Sequence, residues 1–170
     1  MNNGGRVSVN QIIPRIWIGN IYAALDDTFL NNNQIHVIIN CTKDLPFHQN
    51  VSEHKAKAYR VAVHDNLQPE EIQNMTLWSS EIVYYMLKEY FEGNNILVHC
   101  AAGMQRSAAV VAMFLIALKG FTPDESILFI KSRRNIVFTP SINFRKSIDY
   151  FYNYFNSSVV PILPGSTHPR

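Results

Sequence analysis

NILVHCAAGMQRSAAVVAMFLIAL, residues 95–118, consists of a short apolar run, a loop of mostly small residues that ends at an arginine, and a long apolar run. Residues 95–99 are typical of a buried β-strand, and residues 107–118 are rich in helix formers with almost no polar side chain. The loop therefore connects a strand to a helix. Backbone N–H groups converge at such a junction and the helix N-terminus adds partial positive charge, so the sequence predicts a phosphate-binding loop.

Three side chains of this loop point to nucleophilic chemistry, namely Cys100, Arg106 and Ser107. A thiol attacks as the thiolate, and helix N-termini with nearby cations lower a cysteine pKa from about 8.5 to roughly 3.5–7.5. The guanidinium of Arg106 can hold two phosphate oxygens at once. The Ser107 hydroxyl, bonded to the sulfur, would stabilise the thiolate before attack and when it leaves a phosphocysteine intermediate. The alternative for Cys100 is a buried, inert core cysteine.

The residues around the cysteine define the extent of the predicted site. Gly103 can adopt a positive φ or let a ligand approach the backbone closely. His99 ends the strand, and it either orients the loop and tunes the thiol or is an ordinary core histidine. We expect the phosphate-binding loop to comprise Ala101, Ala102, Gly103, Met104, Gln105 and Arg106.

The segment HCAAGMQRS, residues 99–107, resembles the H-C-x5-R-S/T signature of cysteine-dependent protein phosphatases. From about Pro14 to Phe155 the chain resembles the compact dual-specificity phosphatases, some of which are carried by large DNA viruses, and a virus of that kind is a candidate source. Weaker features agree, and they are PRIWIGN at 14–20, HVIINCT at 36–42, YRVAVHDN at 59–66 and TPSINF at 139–144.

Strand and helix patterns alternate along the chain, which predicts an α/β fold with a mostly parallel central sheet flanked by helices on both faces. The resemblance implies that this fold is of the cysteine-phosphatase type. The active loop then lies at the carboxyl edge of the sheet. The predicted strands are 15–19, 36–41, 59–63 and 95–99, and the predicted helices are 22–32, 69–91, 107–118, one that starts at Pro123 and one opened by Pro140. We divide the chain into a flexible N-terminus (1–12), a phosphatase catalytic domain (13–156) and a loose C-terminal tail (157–170).

The resemblance implies a general acid on the loop after the third predicted strand, where Asp65 lies. A positioned carboxylic acid that protonates the leaving oxygen is worth about 10²–10⁴ in rate. The same group, as a carboxylate, could then activate the hydrolytic water. Asp65 is otherwise a solvated turn aspartate, because Asp-Asn before Leu-Gln-Pro is also good turn chemistry. Asp44, near the end of another predicted strand, is the second candidate.

The composition is that of a small globular enzyme, with 47% hydrophobic and 16% charged residues in a chain of 170. A net charge of +2, with no basic run longer than one arginine pair, argues against nucleic-acid binding as the main activity. No apolar segment approaches about 18 residues and the N-terminus is polar, so we expect neither a membrane span nor export. Two cysteines without a C-x-x-C pair fit a reducing compartment and argue against zinc, and we expect no cofactor. The expected location is cytoplasmic, with the nucleus or a virion as alternatives.

The substrate class follows from what the resemblance implies about the pocket. Larger tyrosine-specific relatives deepen it with an insertion, whereas residues 19–22 (GNIY) run directly into the first predicted helix. A shallow pocket would admit phosphotyrosine as well as phosphoserine and phosphothreonine of protein substrates. The loop lacks the lysines with which tensin-type lipid phosphatases meet extra phosphates. An RNA 5′-triphosphatase of the same superfamily and a non-catalytic phosphoprotein-binding module are the alternatives; Ser107 counts against the first, and the intact Cys100, Arg106 and Asp65 against the second.

Two positions depart from the family pattern. Ser141 stands where the family often has an asparagine that helps hold the phosphate loop, and a serine reaches less far, which predicts lower activity. Gln105 is bulkier than the usual residue beside the arginine.

Cys41 is a possible redox partner of Cys100. It ends the predicted strand 36–41, and strand ends at one edge of a parallel sheet come together, so its sulfur could trap an oxidised Cys100 as a disulfide. A cysteine at this strand end also resembles the tensin-type phosphatases. The alternative is a small core residue. We expect a monomer or a weak dimer.

Overall fold

A computed structural model describes residues 7–53 and 55–165, which form a five-stranded sheet with helices on both faces. The strands are β1 (Val9–Ile13), β2 (Ile16–Gly19), β3 (Ile35–Asn40), β4 (Lys57–Arg60) and β5 (Asn95–His99). Their order across the sheet is β1-β2-β5-β3-β4, with β2, β5, β3 and β4 parallel to one another and β1 antiparallel to β2. The predicted α/β fold with a mostly parallel central sheet is confirmed.

Both faces of the sheet are covered, as the apolar strands require. The helices are α1 (Ile21–Ala24), α2 (Asp27–Asn32), α3 (Gln49–Ser52), α4 (Pro69–Phe91), α5 (Arg106–Lys119), α6 (Pro123–Arg133) and α7 (Arg145–Tyr154), followed by a π-helical turn (Phe155–Val159) and a 3₁₀ turn (Val160–Ile162). On one face Ala24 of α1 and Leu30 of α2 pack with Leu97 of β5. On the other face α4, α5 and α7 pack with Ile18 and Val98 in the main core.

Helix α5 forms the centre of the main core. Residues 107–116 are all buried, because α4, α6 and α7 surround the helix on the sides that the sheet leaves open. A helix buried all round needs apolar side chains on every face, which explains why this segment lacks a polar stripe. Its N-terminus meets the end of β5, and the phosphate-binding loop joins the two.

The N-terminal boundary of the fold lies earlier than predicted. Residues 9–12, assigned to a flexible N-terminus, belong to β1, which turns into β2 at Pro14 and Arg15; Arg15 has a φ of 71°. Backbone pairing with β2 and the burial of Ile12 and Ile13 hold this strand in place. The predicted first strand is therefore the second strand of a hairpin. Residues 1–6 of the predicted flexible segment lie outside the described residues.

Three other predicted elements are shifted or divided. The predicted helix 22–32 breaks at Leu25, because the Asp26 side chain accepts from the Phe29 backbone N–H at 3.1 Å and begins a new helix. The third predicted strand ends at Arg60, three residues early. The last helix, which was predicted to begin at Pro140, begins at Arg145.

The C-terminal segment is not loose from residue 157 as predicted. Helical turns extend α7 to Ile162, and Val159 and Leu163 line an apolar groove of about 700 Å³ with Phe91 of α4. The apolar side chains of this groove explain why residues 157–163 lie against the domain. Residues 166–170 of the predicted tail lie outside the described residues.

The two helices with the clearest sequence signals match their predictions. Helix α4 spans the predicted 69–91, and α6 begins after Thr122, whose side chain and that of Glu125 form a reciprocal capping box. No single helix in the described part of the chain is long and apolar enough to span a membrane; α5 and α6 meet the length and composition only as a pair bent by 117°.

Candidate active site

The phosphate-binding loop lies where it was predicted, between the carboxyl end of β5 and the first turn of α5. Gly103 has a φ of +65°, and a Cβ atom there would lie 2.6 Å from the carbonyl oxygen of Gly19. A side chain at this position would therefore push the loop away from β2.

Cys100 is almost completely buried, with 2% of its surface exposed, and its Sγ lies 3.3 Å from the Oγ of Ser107. Burial alone would raise the pKa of this thiol. Arg106, the Ser107 hydroxyl and backbone N–H groups outweigh burial and lower the pKa of Cys100 below its ordinary value. The arrangement thus favours the thiolate, which is the nucleophilic form.

Arg106 begins α5 and reaches the loop that follows β4. Its Nη1 donates to the carbonyl oxygen of Val63 at 3.0 Å. Its buried Nε has no hydrogen-bond partner within residues 7–53 and 55–165. An unmatched buried donor costs about 1–3 kcal/mol, so this N–H is a strong candidate to bind a phosphate oxygen.

His99 is fully buried at the end of β5, and its Nδ1 lies 3.4 Å from the carbonyl oxygen of Cys100. Burial lowers the pKa of His99 to about 4, so the imidazole is neutral at pH 7. The ring next to the nucleophile is therefore uncharged, and its polar contact is with the Cys100 backbone.

Both candidate acids lie at the site. Asp65 and Asp44 line the same cleft of about 500 Å³, together with Arg106 and Ala101 of the phosphate loop. Hydrogen bonding distinguishes Asp65, whose Oδ1 accepts from the Nδ2 of Asn143 at 2.8 Å. This contact holds the carboxyl group of Asp65 over the cleft, which favours it as the acid.

Glu71 fixes the backbone next to Asp65, and sequence analysis missed it. Its Oε2 accepts from the His64 backbone N–H at 2.8 Å, and its other oxygen pairs with Lys43. Burial opposes the charge, but Lys43, the His64 N–H and Asn74 outweigh it and lower the pKa of Glu71 to about 2. An acidic residue in the first turn of α4 was visible, but nothing distinguished Glu71 from its neighbour.

Arg134 holds the phosphate loop from behind, and sequence analysis also missed it. It is 2% exposed; its Nε donates to the Gly103 carbonyl oxygen at 2.8 Å, and its Nη1 donates to the Asn10 side chain at 2.8 Å and the Val7 carbonyl oxygen at 3.0 Å. The guanidinium thus joins the loop to the N-terminal segment. The sequence shows only a basic pair, which is typical of a solvated surface.

The two departures from the family pattern lie in contact. Nε2 of Gln105 donates to the backbone oxygen of Ser141 at 2.7 Å, and Oε1 of Gln105 accepts from the Asn143 N–H at 3.1 Å. The longer Gln105 side chain thus supports the loop from within, through backbone atoms. The expectation that Ser141 lowers activity stays a prediction.

Cys41 directly follows β3, beside the end of β5. Its backbone N–H donates to the His99 carbonyl oxygen at 2.8 Å, and its side chain is fully buried. Burial, with a further contribution from Cys100, raises the pKa of Cys41 well above its ordinary value. The two cysteines directly follow paired parallel strands, at the same edge of the sheet as predicted; the redox role stays a prediction.

No group of three or more His, Cys, Asp or Glu side chains that could hold a metal ion occurs in the described part of the chain. The cysteine chemistry that the loop supports requires none.

Comparison with known sequences places the chain in a family. Residues 16–154 match the model of the dual specificity phosphatase catalytic domain. Human dual specificity protein phosphatase 8 is 24% identical over 138 residues, which are 81% of this chain and 21% of that protein. Human dual specificity protein phosphatase 1 is 27% identical over 143 residues, which are 84% of this chain and 36% of that protein. The chain therefore spans about a fifth to a third of the length of these relatives.

A viral protein is similar over a shorter stretch. Protein 123R of Invertebrate iridescent virus 6, which is named as a tyrosine phosphatase, is 38% identical over 66 residues, 39% of this chain and 46% of that protein.

Solved structures share the fold. Human DUSP28 aligns with a TM-score of 0.77 and 20% identity over 91% of this chain and 100% of that chain. A human tyrosine phosphatase-like protein, the serine/threonine/tyrosine-interacting protein, aligns with a TM-score of 0.74 and 18% identity over 88% of this chain and 98% of that chain. The expectation drawn from the signature is confirmed, because the family match covers most of the chain: it belongs to the dual specificity phosphatase catalytic domain family.

Proposed function

We propose that this chain is an active dual-specificity protein phosphatase, which hydrolyses phosphotyrosine and phosphoserine or phosphothreonine in protein substrates. The observation that carries the proposal is Cys100, a thiol with a lowered pKa in contact with Ser107 at the start of α5. Arg106 lies beside it with a buried N–H that lacks a partner among the described residues. Membership in the family supports the same activity.

In the first step the Cys100 thiolate attacks the phosphorus of the substrate. The bond from phosphorus to the leaving oxygen breaks with its electron pair, and Asp65 gives its proton to that oxygen. Loop N–H groups and Arg106 bind the other phosphoryl oxygens, which are the atoms that carry charge in the transition state. The step forms a phosphocysteine and releases the dephosphorylated side chain.

In the second step water hydrolyses the phosphocysteine. Asp65, now a carboxylate, accepts a proton from the attacking water, and the sulfur–phosphorus bond breaks with its electron pair returning to Cys100. The Ser107 hydroxyl stabilises the departing thiolate. Inorganic phosphate leaves, and Asp65 is again protonated.

The connection between β2 and α1 supports the broad substrate class. Gly19 ends β2 and Ile21 begins α1, with Asn20 as the only residue between them. The Asn20 side chain accepts from the Ala23 backbone N–H at 3.1 Å and caps the helix. This connection carries no insertion that would deepen the cleft, which supports access of phosphoserine and phosphothreonine, as well as phosphotyrosine, to Cys100.

Two variants test the activity. Cys100→Ser should bind phosphate and lose turnover of phosphopeptides, because a serine hydroxyl is far less acidic than a thiol and has no base here. Arg106→Lys should also fail, since one ammonium cannot make a bidentate contact. The matched control is Cys41→Ser, assayed under reductant. Activity of Cys100→Ser within tenfold of the parent would overturn the assignment.

Parallel assays separate the alternatives. Phosphopeptides that carry each of the three phosphorylated residues are compared with a 5′-triphosphorylated RNA. Faster hydrolysis of the RNA would support the triphosphatase, whereas phosphopeptide binding without turnover by the parent would support a binding module.

We also propose that the chain acts on its substrates in the cytoplasm, as a monomer or weak dimer. Both cysteines are free, and a thiolate nucleophile stays active only in a reducing compartment. Fractionation of expressing cells checks the location, and recovery mainly from the medium would contradict it.

A further inference from the structure

The segment before α7 is anchored to the phosphate loop. The anchor is Gln105, which is 5% exposed and uses both ends of its side-chain amide on Ser141 and Asn143. A second bond joins the same parts, since the Phe138 backbone N–H donates to the Met104 carbonyl oxygen at 2.9 Å. Asn143 therefore has a fixed position relative to the phosphate loop.

From this anchor the Asn143 side chain extends to Asp65. Its Nδ2 donates to Asp65 Oδ1 at 2.8 Å, and its Oδ1 accepts from the Ser141 hydroxyl at 3.0 Å. The ionised carboxyl group of Asp65 only accepts, so it faces the amide nitrogen, and the Ser141 hydroxyl, which can donate, faces the amide oxygen. Phe144, the next residue, is 2% exposed and fixes the backbone in the core.

We propose that Asn143 is a positioning residue for Asp65 and that, through Gln105, it couples the orientation of the acid to the phosphate loop. The inference rests on the proposed phosphatase function. Arg106 and Glu71 hold the backbone of Val63 and His64, just before Asp65. Among the described residues, Asn143 is the one whose side chain hydrogen-bonds the Asp65 carboxyl group itself.

The contact assigns different tasks to the two oxygens of Asp65. Oδ1 is occupied by an N–H donor, and a protonated oxygen cannot accept that bond as well as an unprotonated one. The transferable proton is therefore held on Oδ2, which remains available to the leaving group. Without Asn143 the carboxyl group can rotate, and the proton is often on the wrong side at the moment of bond cleavage.

The proposal predicts a loss that depends on the leaving group. Asn143→Ala should lower kcat for phenyl phosphate or phosphoserine peptides by about 10- to 100-fold, the scale of a misplaced catalytic group. An aryl phosphate whose phenol is acidic leaves without a proton and should lose less than about threefold. Inhibition by inorganic phosphate should not change, because Cys100 and Arg106 are untouched. Asn143→Asp, which has the same shape but lacks the donor, should reproduce the loss.

A double variant separates positioning from general support of the fold. If Asn143 acts through Asp65, adding Asn143→Ala to Asp65→Asn should cause no further loss on phenyl phosphate. Asn153→Ala, at an exposed asparagine of α7, is the matched control. Losses that multiply in the double variant, or equal losses on both types of leaving group, would overturn the proposal and leave the phosphatase function standing.

A measurement without turnover tests the same contact if the parent proves inactive. In the ¹⁵N–¹H spectrum, the side-chain amide signals of Asn143 should shift in Asp65→Asn, and they should shift or broaden in Gln105→Ala. Asn143 signals that are unaffected by both substitutions would overturn the proposal, whereas an inactive parent would overturn only the proposed function.

Discussion

Cys100 and Cys41 are both buried, yet their thiols have opposite tendencies to ionise. The pKa of Cys100 is lowered because Arg106, the Ser107 hydroxyl and backbone N–H groups favour the thiolate more than burial disfavours it. Cys41 lacks those hydrogen bonds, and burial raises its pKa well above the ordinary value. Two cysteines that follow adjacent strands thus differ because only one of them begins the loop at a helix N-terminus.

Oxidation tests whether Cys41 protects the nucleophile. Peroxide converts the Cys100 thiolate to a sulfenic acid, and we expect the Cys41 sulfur to attack it, which forms a disulfide and releases water. Adjacent strands lie about 4.8 Å apart, which is within the separation that a disulfide spans. Digestion without reductant should yield a Cys41–Cys100 linked peptide, and Cys41→Ala should recover less activity under dithiothreitol. Full recovery of Cys41→Ala would instead identify Cys41 as a packing residue.

Asp65→Asn tests the identity of the acid. The amide keeps the size of the side chain but cannot donate a proton as an acid does, so hydrolysis of phenyl phosphate should fall by about 10²–10⁴. A substrate whose leaving group needs no proton should be affected much less. Steady-state kinetics on the two substrates check this. Equal losses on both, or no loss on either, would reject Asp65 and make Asp44 the next candidate.

At the level of elements, the sequence was most informative where the deciding contacts are local. Cys100, Arg106 and Ser107 lie within one strand–loop–helix unit, and the contact between Cys100 and Ser107 could be predicted from their spacing. Glu71 pairs with Lys43, 28 residues away in the sequence, and Arg134 holds Gly103, 31 residues away, so no local pattern identified either residue. Strand β1 was missed for a related reason. A two-residue turn separates it from β2, and its pairing partner determines its conformation more than its composition does.

The contact between Glu71 of α4 and the loop that carries Asp65 depends on pH. Its pKa is lowered to about 2 from an ordinary value of about 4.5, so its contribution to stability is present above pH 4.5 and is lost as the pH falls toward 2. Glu71→Gln should therefore be less stable than the parent at pH 7, and its free energy of unfolding should fall less between pH 4.5 and 2. Urea unfolding across this range checks the prediction. If the free energy of unfolding of both proteins fell equally with pH, the native contacts would not lower the pKa of Glu71.

In the whole molecule, the sheet and α5 bring remote segments to one edge. Residues that follow β3, β4 and β5 line the cleft, and the segment before α7 reaches it through the bond from Asn143 to Asp65. Hydrogen bonds join each of these segments to the phosphate loop or to its neighbours. Contacts of this kind exist only in the folded chain. A ligand that binds the phosphate loop should therefore stabilise the whole domain and not the loop alone.

Thermal unfolding with tungstate, a tetrahedral oxyanion like phosphate, measures that linkage. At about 100 times its Kd a ligand adds about 2.7 kcal/mol, which for a chain of this length raises Tm by about 5–10 °C. Asp65→Asn should keep the full shift, because the carboxyl group does not form the anion site. Arg106→Lys should lose most of it, since a single ammonium cannot replace two guanidinium donors. A shift of the same size in Arg106→Lys would mean that the anion binds elsewhere on the fold, and the assignment of the loop as the phosphate site would fail.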